Sequence, residues 1–265
     1  MSREQLRNVK RLVVKSGTSN LTDERSRLDA LRVKGLVEQL VDLKRLGKEV
    51  IVVSSGAIGA GIGRMNLSQR PNDISQLQAA AAIGQGLLMQ TYEHYFEKYN
   101  QPIAQLLLTK DDFTNALRYG NLKRTLQTLV SWGVIPIINE NDTVAVEEIK
   151  VGDNDTLAAH VAIGVNAQLL VILTDVDGLY TEDPSESKDG ELVRIVEEVT
   201  PEVERWASRA GKGFGGMYTK VQAARRLSEE GISTVIVNGM RSDILQSVLQ
   251  GDDVGTLFLS KRSET

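Results

Sequence analysis

Short runs of apolar, largely β-branched residues alternate along the chain with longer segments of helical periodicity. Seven runs have the length and composition of buried strands, at residues 12–15, 50–54, 103–108, 134–139, 169–174, 234–237 and 256–259. Near-continuous apolar runs are typical of strands in a sheet that is covered on both faces. The pattern therefore predicts a buried sheet with helices packed on it.

Helical spacing of apolar residues occurs between these runs, in segments 26–46, 74–98, 116–132, 156–163 and 219–230. Alternation of strands and helices implies parallel strands joined by right-handed crossovers. The predicted fold is α/β, a three-layer αβα sandwich with a mainly parallel open sheet. We expect one domain with a soft division near residue 165, which separates a half of about 1–165 from a half of about 166–265.

The composition excludes several classes of protein. With 265 residues, 41% of them hydrophobic, and a net charge of −4, the chain is not of the disordered class. A pI near 5.4 gives no basic excess, so nucleic acid is not expected as a partner. The lack of cysteine excludes disulfides, iron–sulfur clusters and thiol nucleophiles. The charged N-terminus and the absence of a long apolar run predict no membrane segment and a cytoplasmic location.

The chain has only two histidines, His94 and His160, without a metal-binding HExxH pattern. A GxSxG nucleophile motif is also absent. We therefore expect both histidines to be structural or surface residues. If the protein is an enzyme, its catalytic groups are therefore expected among Lys, Asp, Asn and Ser side chains, backbone amides and a hard metal ion.

Small polar segments that contain glycine or asparagine follow four of the predicted strands. They are KSGTS (15–19), SSGAIGAG (54–61), NEND (139–142) and TDVDG (174–178). Turns need the same residue types, so each segment alone is weak support for a site. Because the carboxyl ends of parallel strands meet at one edge of a sheet, the four together predict a polar ligand crevice.

Two features of this predicted crevice suit an anion. Lys15 ends an apolar strand and has Gly17 close by, so a compact charge and an approachable backbone lie together; the alternative is a lysine that only extends to solvent. The loop 54–61 offers several backbone N–H groups and is expected to begin a helix. A glycine-rich helix N-terminus can hold a carboxylate or a phosphoryl group.

A second glycine-rich segment, 211–220, formally contains GxGxxG at Gly211, Gly213 and Gly216. It follows a polar helical stretch instead of a strand, so we reject a dinucleotide site. The GxxxxGK[ST] motif of P-loop proteins is absent. A loop that leads into a helix with Lys220 in its first turn suits a polyphosphate bound by backbone amides and one lysine.

Acidic and amide side chains are densest at 139–142 and 151–155. Such clusters are often solvated loops, but both adjoin apolar segments. Asp175 and Asp177 lack the remaining ligand positions of a calcium loop. Carboxylates beside two lysines favour phosphoryl transfer, in which the carboxylates hold Mg²⁺ or orient the lysines, and the lysines neutralise developing charge.

Together these motifs resemble the amino acid kinase family over nearly the whole chain. The segments that carry the resemblance are 13–22, 52–61, 138–155, 173–184 and 213–224. NEND followed by VGDND, together with GGMYTK, is similar to the branch that acts on L-glutamate. The resemblance implies ATP-dependent phosphorylation of the γ-carboxylate of L-glutamate to L-glutamyl 5-phosphate, the first step of proline biosynthesis.

The same resemblance implies roles for individual residues. Lys15 and Lys220 contact the transferring phosphoryl group, and Asp155 positions them. Glutamate is bound by Ser55, Gly56, Ala57, Asn139, Asp142 and Asn154. ATP is bound by Lys15, Thr174, Asp175, Phe214, Gly215, Gly216, Met217, Tyr218, Thr219 and Lys220. Mg²⁺ bridges the phosphates, with no protein ligand assigned to it. Which glutamate group Asp142 and Asn154 each contact stays open.

The family further implies a homo-oligomer, a dimer or tetramer, and a hand-over of the acyl phosphate to the next enzyme of proline biosynthesis. Ser16 departs from the aliphatic residue usual at its position. We expect no C-terminal PUA domain of the kind that many bacterial members carry.

Two alternatives are kept. One is a kinase of the same fold that acts on N-acetylglutamate, aspartate, carbamate, UMP or isopentenyl phosphate, which NEND and VGDND disfavour. The other is a non-catalytic sensor of amino acids or nucleotides, which has no use for Lys15, Lys220 and Asp155 together.

Overall fold

The computed structural model describes residues 1–25, 27–145, 154–182, 190–209 and 216–261. Its strands are β1 (Arg11–Ser16), β2 (Glu49–Ser54), β3 (Ile103–Leu108), β4 (Ile135–Glu140), β5 (Leu169–Thr174), β6 (Ile195–Val196), β7 (Ser233–Asn238) and β8 (Thr256–Phe258). They form one sheet in the order β3-β4-β2-β1-β5-β7-β8-β6. Neighbouring strands are parallel except β7 and β8. The prediction of a mainly parallel α/β sheet is confirmed.

Helices cover both faces of this sheet. They are α1 (Ala30–Arg45), α2 (Ala57–Arg64), α3 (Ile74–Glu97), α4 (Lys110–Thr114), α5 (Ala116–Ser131), α6 (Asp155–Gly164), α7 (Pro201–Arg209), α8 (Met217–Glu229) and α9 (Ile244–Gln250). One apolar core lies between the sheet and α1, α3 and α9, and a second lies between the sheet and α5 to α8. In the described part of the chain, no helix combines the length and hydrophobicity that a bilayer crossing requires.

The alternation of side chains along β1 places the first functional residue. Leu12 and Val14 belong to the core under α1, whereas Val13 belongs to the core under α6. Since successive side chains of a strand point to opposite faces, Lys15 lies on the α6 side. Its side chain is buried there at the carboxyl end of the sheet.

The direction of β8 differs from the parallel arrangement that strand–helix alternation predicted. Residues Thr256 to Phe258 pair antiparallel with Thr234 to Ile236. The intervening α9 ends beside the segment that precedes β1, where the Arg7 side chain donates a hydrogen bond to the Gln250 carbonyl. The connection from α9 to β8 contains Gly251 and Gly255, both with positive φ, so it turns the chain before β8 begins.

Three short elements were not predicted, namely β6, α4 and α9. Each has seven residues or fewer, which is too short for a periodic pattern to be recognised. Helix α1 begins at Ala30 and not at residue 26, because the Asp29 side chain accepts hydrogen bonds from the amides of Leu31 and Arg32 as an N-cap.

Helices α2 and α3 approach so closely that glycine is required at the crossing. A Cβ atom built on Gly84 would lie 1.8 Å from the carbonyl oxygen of Ala57, and one on Gly61 would lie 1.9 Å from that of Ala80. Gly86, two residues further along α3, has nothing within 4 Å of such an atom. Helix α2 is thus held against α3 by backbone contact.

We expect Gly84→Ala to lower the free energy of unfolding by about 3 kcal/mol, the upper end of the usual cost of over-packing, since backbone must move. The matched Gly86→Ala should raise it by about 0.5–1 kcal/mol through helix propensity. Urea denaturation of both variants measures the difference. Equal stability of the two would show that the helix crossing is not close-packed.

Candidate active site

Three predicted catalytic residues from three distant segments meet at the carboxyl edge of the sheet. Lys15 is the penultimate residue of β1, Asp155 begins α6, and Lys220 lies in the first turn of α8. The Lys15 Nζ atom is 2.6 Å from Asp155 Oδ1, and Lys220 Nζ is 3.0 Å from Asp155 Oδ2. The side chains of the two lysines are 5% and 8% exposed, and that of Asp155 is fully buried. One carboxylate therefore holds two ammonium groups side by side.

Within the described residues, this lysine–aspartate cluster sets two lysine side chains against one buried carboxylate. Opposite charges in a low-dielectric site interact strongly. The Thr219 hydroxyl donates a further hydrogen bond to Asp155 Oδ2 at 3.0 Å, and its oxygen also lies 2.9 Å from the Gly216 carbonyl. The arrangement is suited to an anion that approaches both lysines.

A pocket with an empty volume of about 530 Å³ lies next to this cluster. All six residues predicted to bind glutamate line it. The full lining is Thr18, Ser55, Gly56, Ala57, Ile58, Gly59, Arg70, Asn139, Glu140, Asp142 and Asn154. Because Asn154 lines the pocket and the next residue is Asp155, the pocket and the lysine–aspartate cluster are neighbours.

Helix α2 forms one wall of the pocket. Gly56 precedes it with a φ of 102°, a left-handed conformation that favours glycine. Its N-terminal residues Ala57 to Gly59 line the pocket, as the glycine-rich loop predicted. The positive end of the helix dipole therefore faces the ligand space.

Amide side chains connect the pocket to the surrounding strands. Asn154 Nδ2 lies within hydrogen-bond distance of the Ser54 carbonyl, Ser55 Oγ and Asn139 Oδ1, at 3.2, 3.0 and 2.9 Å. Asn139 in turn donates to Gln85 Oε1 on α3 at 2.9 Å. This network fixes the N-terminus of α6, and with it Asp155, against the ends of β2 and β4.

A buried hydrogen bond between α3 and the end of β2 supports the same edge of the sheet. Tyr92 of α3 is fully buried, and its hydroxyl lies 2.9 Å from Ser54 Oγ. Burial raises the pKa of Tyr92 to about 12, so the phenol stays protonated at neutral pH. Sequence reasoning missed Tyr92 and Gln85 of α3, and Arg70 of the irregular segment before α3, because no local pattern shows which of their side chains reach a strand end.

Asp142 is the pocket residue whose ionisation is shifted most clearly. Burial raises the pKa of Asp142 to about 6, and the nearby Arg70 guanidinium opposes part of that rise. Arg70 lines the same pocket and is itself exposed. When burial has raised the pKa of a carboxylate, a cationic group bound beside it stabilises the ionised form.

Of the residues predicted to bind ATP, Lys15 lies on β1, Thr174 and Asp175 lie at the end of β5, and Gly216 to Lys220 lie at the start of α8. Strand β5 pairs with β1 on the side opposite to β2 and β4. Thr174 ends β5, and its hydroxyl donates to Asp175 Oδ1 at 3.2 Å. Gly216 precedes α8, and no side chain of the described residues caps this helix, so its first backbone amides suit an anion. Of the predicted loop, Phe214 and Gly215 lie outside the described residues.

The described residues contain no group of three or more His, Asp or Glu side chains placed to hold a metal ion. Both histidines lie in helices and contact aromatic rings: His160 stacks on Phe113 at 4.8 Å between ring centroids, and His94 contacts Tyr95 edge-on. Burial and the charges of Arg226 and Lys110 lower the pKa of His160 to about 4. Neither histidine lines the pocket beside the lysine–aspartate cluster.

The mainly parallel sheet, the paired lysines and the polar pocket agree with one family of enzymes. Residues 10–238 match the model of the amino acid kinase family. The chain belongs to this family and is an enzyme of the kinase class.

The most informative relatives are glutamate 5-kinases. The chain is 51% identical to the one from Caldanaerobacter subterraneus subsp. tengcongensis, over 96% of this chain and 68% of the relative. It is 49% identical to the one from Clostridium tetani, over 97% of both chains. A UMP kinase structure from Bacillus anthracis superposes with a TM-score of 0.62 at 15% identity, over 96% of this chain and 97% of the other, which shows a shared fold.

Proposed function

We propose that this protein transfers the γ-phosphoryl group of ATP to the side-chain carboxylate of L-glutamate, giving L-glutamyl 5-phosphate and ADP. The observation that carries the proposal is the direct adjacency of the lysine–aspartate cluster and a pocket that contains carboxylates. Paired lysines suit the phosphoryl group in transfer, and pocket carboxylates suit an amino-acid ammonium. The relatives at about half identity, named glutamate 5-kinases, support the same reaction.

The mechanism needs no general base. The γ-carboxylate of glutamate is already ionised at pH 7, so one of its oxygens attacks the γ-phosphorus directly. The bond to the β,γ-bridging oxygen breaks, and ADP leaves with that oxygen. Catalysis then consists of alignment and charge stabilisation.

Lys15 and Lys220 stabilise the charge that develops on the phosphoryl oxygens, and Asp155 keeps both ammonium groups in place. Since the cluster is buried, little solvent has to reorganise during the transfer. Backbone amides at the start of α2 and α8 offer further donors from the two sides of the lysine–aspartate cluster.

Mg²⁺ binds in kinase sites largely through substrate phosphates, with one or two carboxylates. Among the described residues, both Asp155 oxygens are engaged by the lysines, and Asp175, which directly follows β5, is the carboxylate that we assign to the ion. When bound, the ion neutralises charge on the phosphates of ATP. The protein's own residues orient the two substrates.

We further propose that the half up to about residue 165 binds glutamate and the remainder binds ATP. The pocket lining lies entirely within the first half, whereas Thr174, Asp175 and α8 lie in the second. A dimer or tetramer working in the cytoplasm, and transfer of the product to the next enzyme, remain expectations from the family.

The proposed reaction is tested by trapping its product. Purified protein is incubated with Mg-ATP and hydroxylamine, and hydroxamate and ADP are measured with L-glutamate, N-acetyl-L-glutamate, L-aspartate and no acceptor. We expect hydroxamate with L-glutamate alone. Hydroxamate with another acceptor would assign a different kinase of this family, and ADP release when UMP is supplied as a further acceptor would do the same. ATP binding without turnover on any acceptor would assign a sensor.

We expect Asp142→Asn to raise the KM for L-glutamate by about tenfold or more, because a hydrogen bond between charged groups is lost, while the KM for ATP stays unchanged. Initial-rate kinetics with each substrate varied in turn measure both constants. A raised KM for ATP alone would contradict the placement of Asp142 in the glutamate pocket.

The same residue predicts a pH dependence. Only ionised Asp142 attracts an ammonium group, and its pKa is raised to about 6. The KM for L-glutamate should therefore fall as the pH rises from 5 to 7, and Asp142→Asn should remove this dependence. The sign for stability is opposite: the raised pKa favours the protonated folded form, so this contribution to the free energy of unfolding is lost as the pH rises through about 6.

A further inference from the structure

The Glu140 carboxylate is buried, and the described residues around it do not compensate for the loss of its hydration. Only 6% of the residue is exposed, and its Oε2 atom is buried without a hydrogen-bond partner among the described residues. A buried charge that loses its hydration and gains no partner destabilises the fold. Glu140 ends β4, which is paired with β2 and β3, so the sheet fixes the position of this residue.

The pocket that Glu140 lines has an excess of negative charge. Among its described lining residues, Glu140 and Asp142 are the carboxylates and Arg70 is the cation. The lysines lie outside this lining and face Asp155. A ligand that brings one ammonium group and one carboxylate to this region would satisfy both carboxylates and the guanidinium at once.

We propose, on the basis of the function above, that Glu140 is a specificity-determining residue that binds the α-ammonium group of glutamate together with Asp142, while Arg70 faces the α-carboxylate. The γ-carboxylate then extends past Asn154 toward the lysine–aspartate cluster. An acceptor without the ammonium group leaves two carboxylates in the pocket without a counter-charge. Such unpaired buried groups exclude an analogue more strongly than a missing apolar contact does.

A purely structural role for Glu140 is the competing explanation. Glu140 also lines a second, wider pocket with Lys110, Asp111 and Arg118. If its charge served only to hold this neighbouring region together, removing the charge would lower stability and affect all ligands alike. The proposal predicts the opposite pattern, which is a selective effect on ligands that carry the ammonium group.

The test is Glu140→Gln, which keeps the shape and removes the charge. We expect the KM for L-glutamate to rise by at least about tenfold, as for loss of a charged hydrogen bond. The inhibition constant of (S)-2-hydroxyglutarate, in which a hydroxyl replaces the ammonium group, should change by less than about threefold, because the uncharged hydroxyl can donate to the glutamine amide oxygen as it does to the carboxylate. The KM for ATP should stay unchanged, and the melting temperature of the free protein should not fall.

Two further variants complete the experiment. Asp111→Asn removes a negative charge from the neighbouring pocket only, and should leave all these constants unchanged. Glu140→Asp keeps the charge, and should retain most of the preference for L-glutamate over 2-hydroxyglutarate; it gives the answer if the glutamine variant does not fold.

Equal weakening of L-glutamate and 2-hydroxyglutarate binding, or an unchanged KM for L-glutamate, would overturn the assignment of Glu140. A wild-type protein that forms no hydroxamate from L-glutamate would remove the proposed function and this inference with it. Normal wild-type turnover combined with an unaffected glutamine variant would remove the inference alone.

Discussion

Replacing Lys220 with alanine lowers kcat by about 10²–10³-fold, the effect expected when one preorganised donor to the transition state is lost. The ammonium group of Lys220 is held 3.0 Å from Asp155 at the edge of the sheet where we propose that the phosphoryl group is transferred. Charge on the transferred group is greatest in the transition state, so the loss falls on kcat more than on KM.

The fold should tolerate this change. Asp155 keeps Lys15 at 2.6 Å and the Thr219 hydroxyl at 3.0 Å, so its carboxylate stays paired. Lys34→Ala, on the exposed face of α1, is the matched control and should leave kcat unchanged. Steady-state kinetics and circular dichroism of both variants measure the outcome. Near-normal turnover of Lys220→Ala would refute the catalytic role of the lysine pair.

Asp155→Asn has the largest expected effect on stability as well as activity. It leaves two buried ammonium groups without their shared carboxylate, and breaking a buried ion pair in this way costs about 3–5 kcal/mol. The lysines repel each other and leave their positions, so kcat should also fall by at least about 10²-fold. Denaturant unfolding and initial rates measure the two losses separately.

A double variant shows whether the stability loss comes from the lysines. With Lys220→Met added to Asp155→Asn, one buried ammonium group is gone and part of the lost free energy of unfolding should return. Strict additivity of the two changes would mean that Asp155 and Lys220 do not interact in the folded protein. A wild-type melting profile for Asp155→Asn alone would contradict the buried cluster itself.

The central part of the sheet could be predicted because it is covered on both faces. Buried strands must be apolar throughout, so residues 169–174 carry an unambiguous pattern, and β5 is confirmed at the predicted bounds. The edge strand β3 is also confirmed at the predicted residues 103–108, although it is only partly buried. The direction of β8 could not be predicted in this way. It depends on how the connection between α9 and β8 turns at Gly251 and Gly255, and the apolar pattern contains no information on that turn.

The candidate site could likewise be predicted only in part from the sequence. Residues at strand ends could be found, since parallel topology brings such ends together, and Ser55, Asn139 and Asn154 do meet through hydrogen bonds. Arg70 lies in an irregular segment and Tyr92 in the middle of a long helix. Their approach to the site depends on the packing of α3, which no local motif encodes. The roles of all these residues in catalysis remain predictions.

The most direct test of the account follows one oxygen atom. L-glutamate labelled with ¹⁸O in its γ-carboxylate is incubated with the protein and Mg-ATP, and the phosphate released when the acyl phosphate decomposes with cleavage of its acyl carbon–oxygen bond is analysed by ³¹P NMR. Attack of the carboxylate on the γ-phosphorus predicts phosphate that contains one ¹⁸O atom from glutamate. Unlabelled phosphate would mean that water and not glutamate accepts the phosphoryl group, and would contradict the proposed reaction.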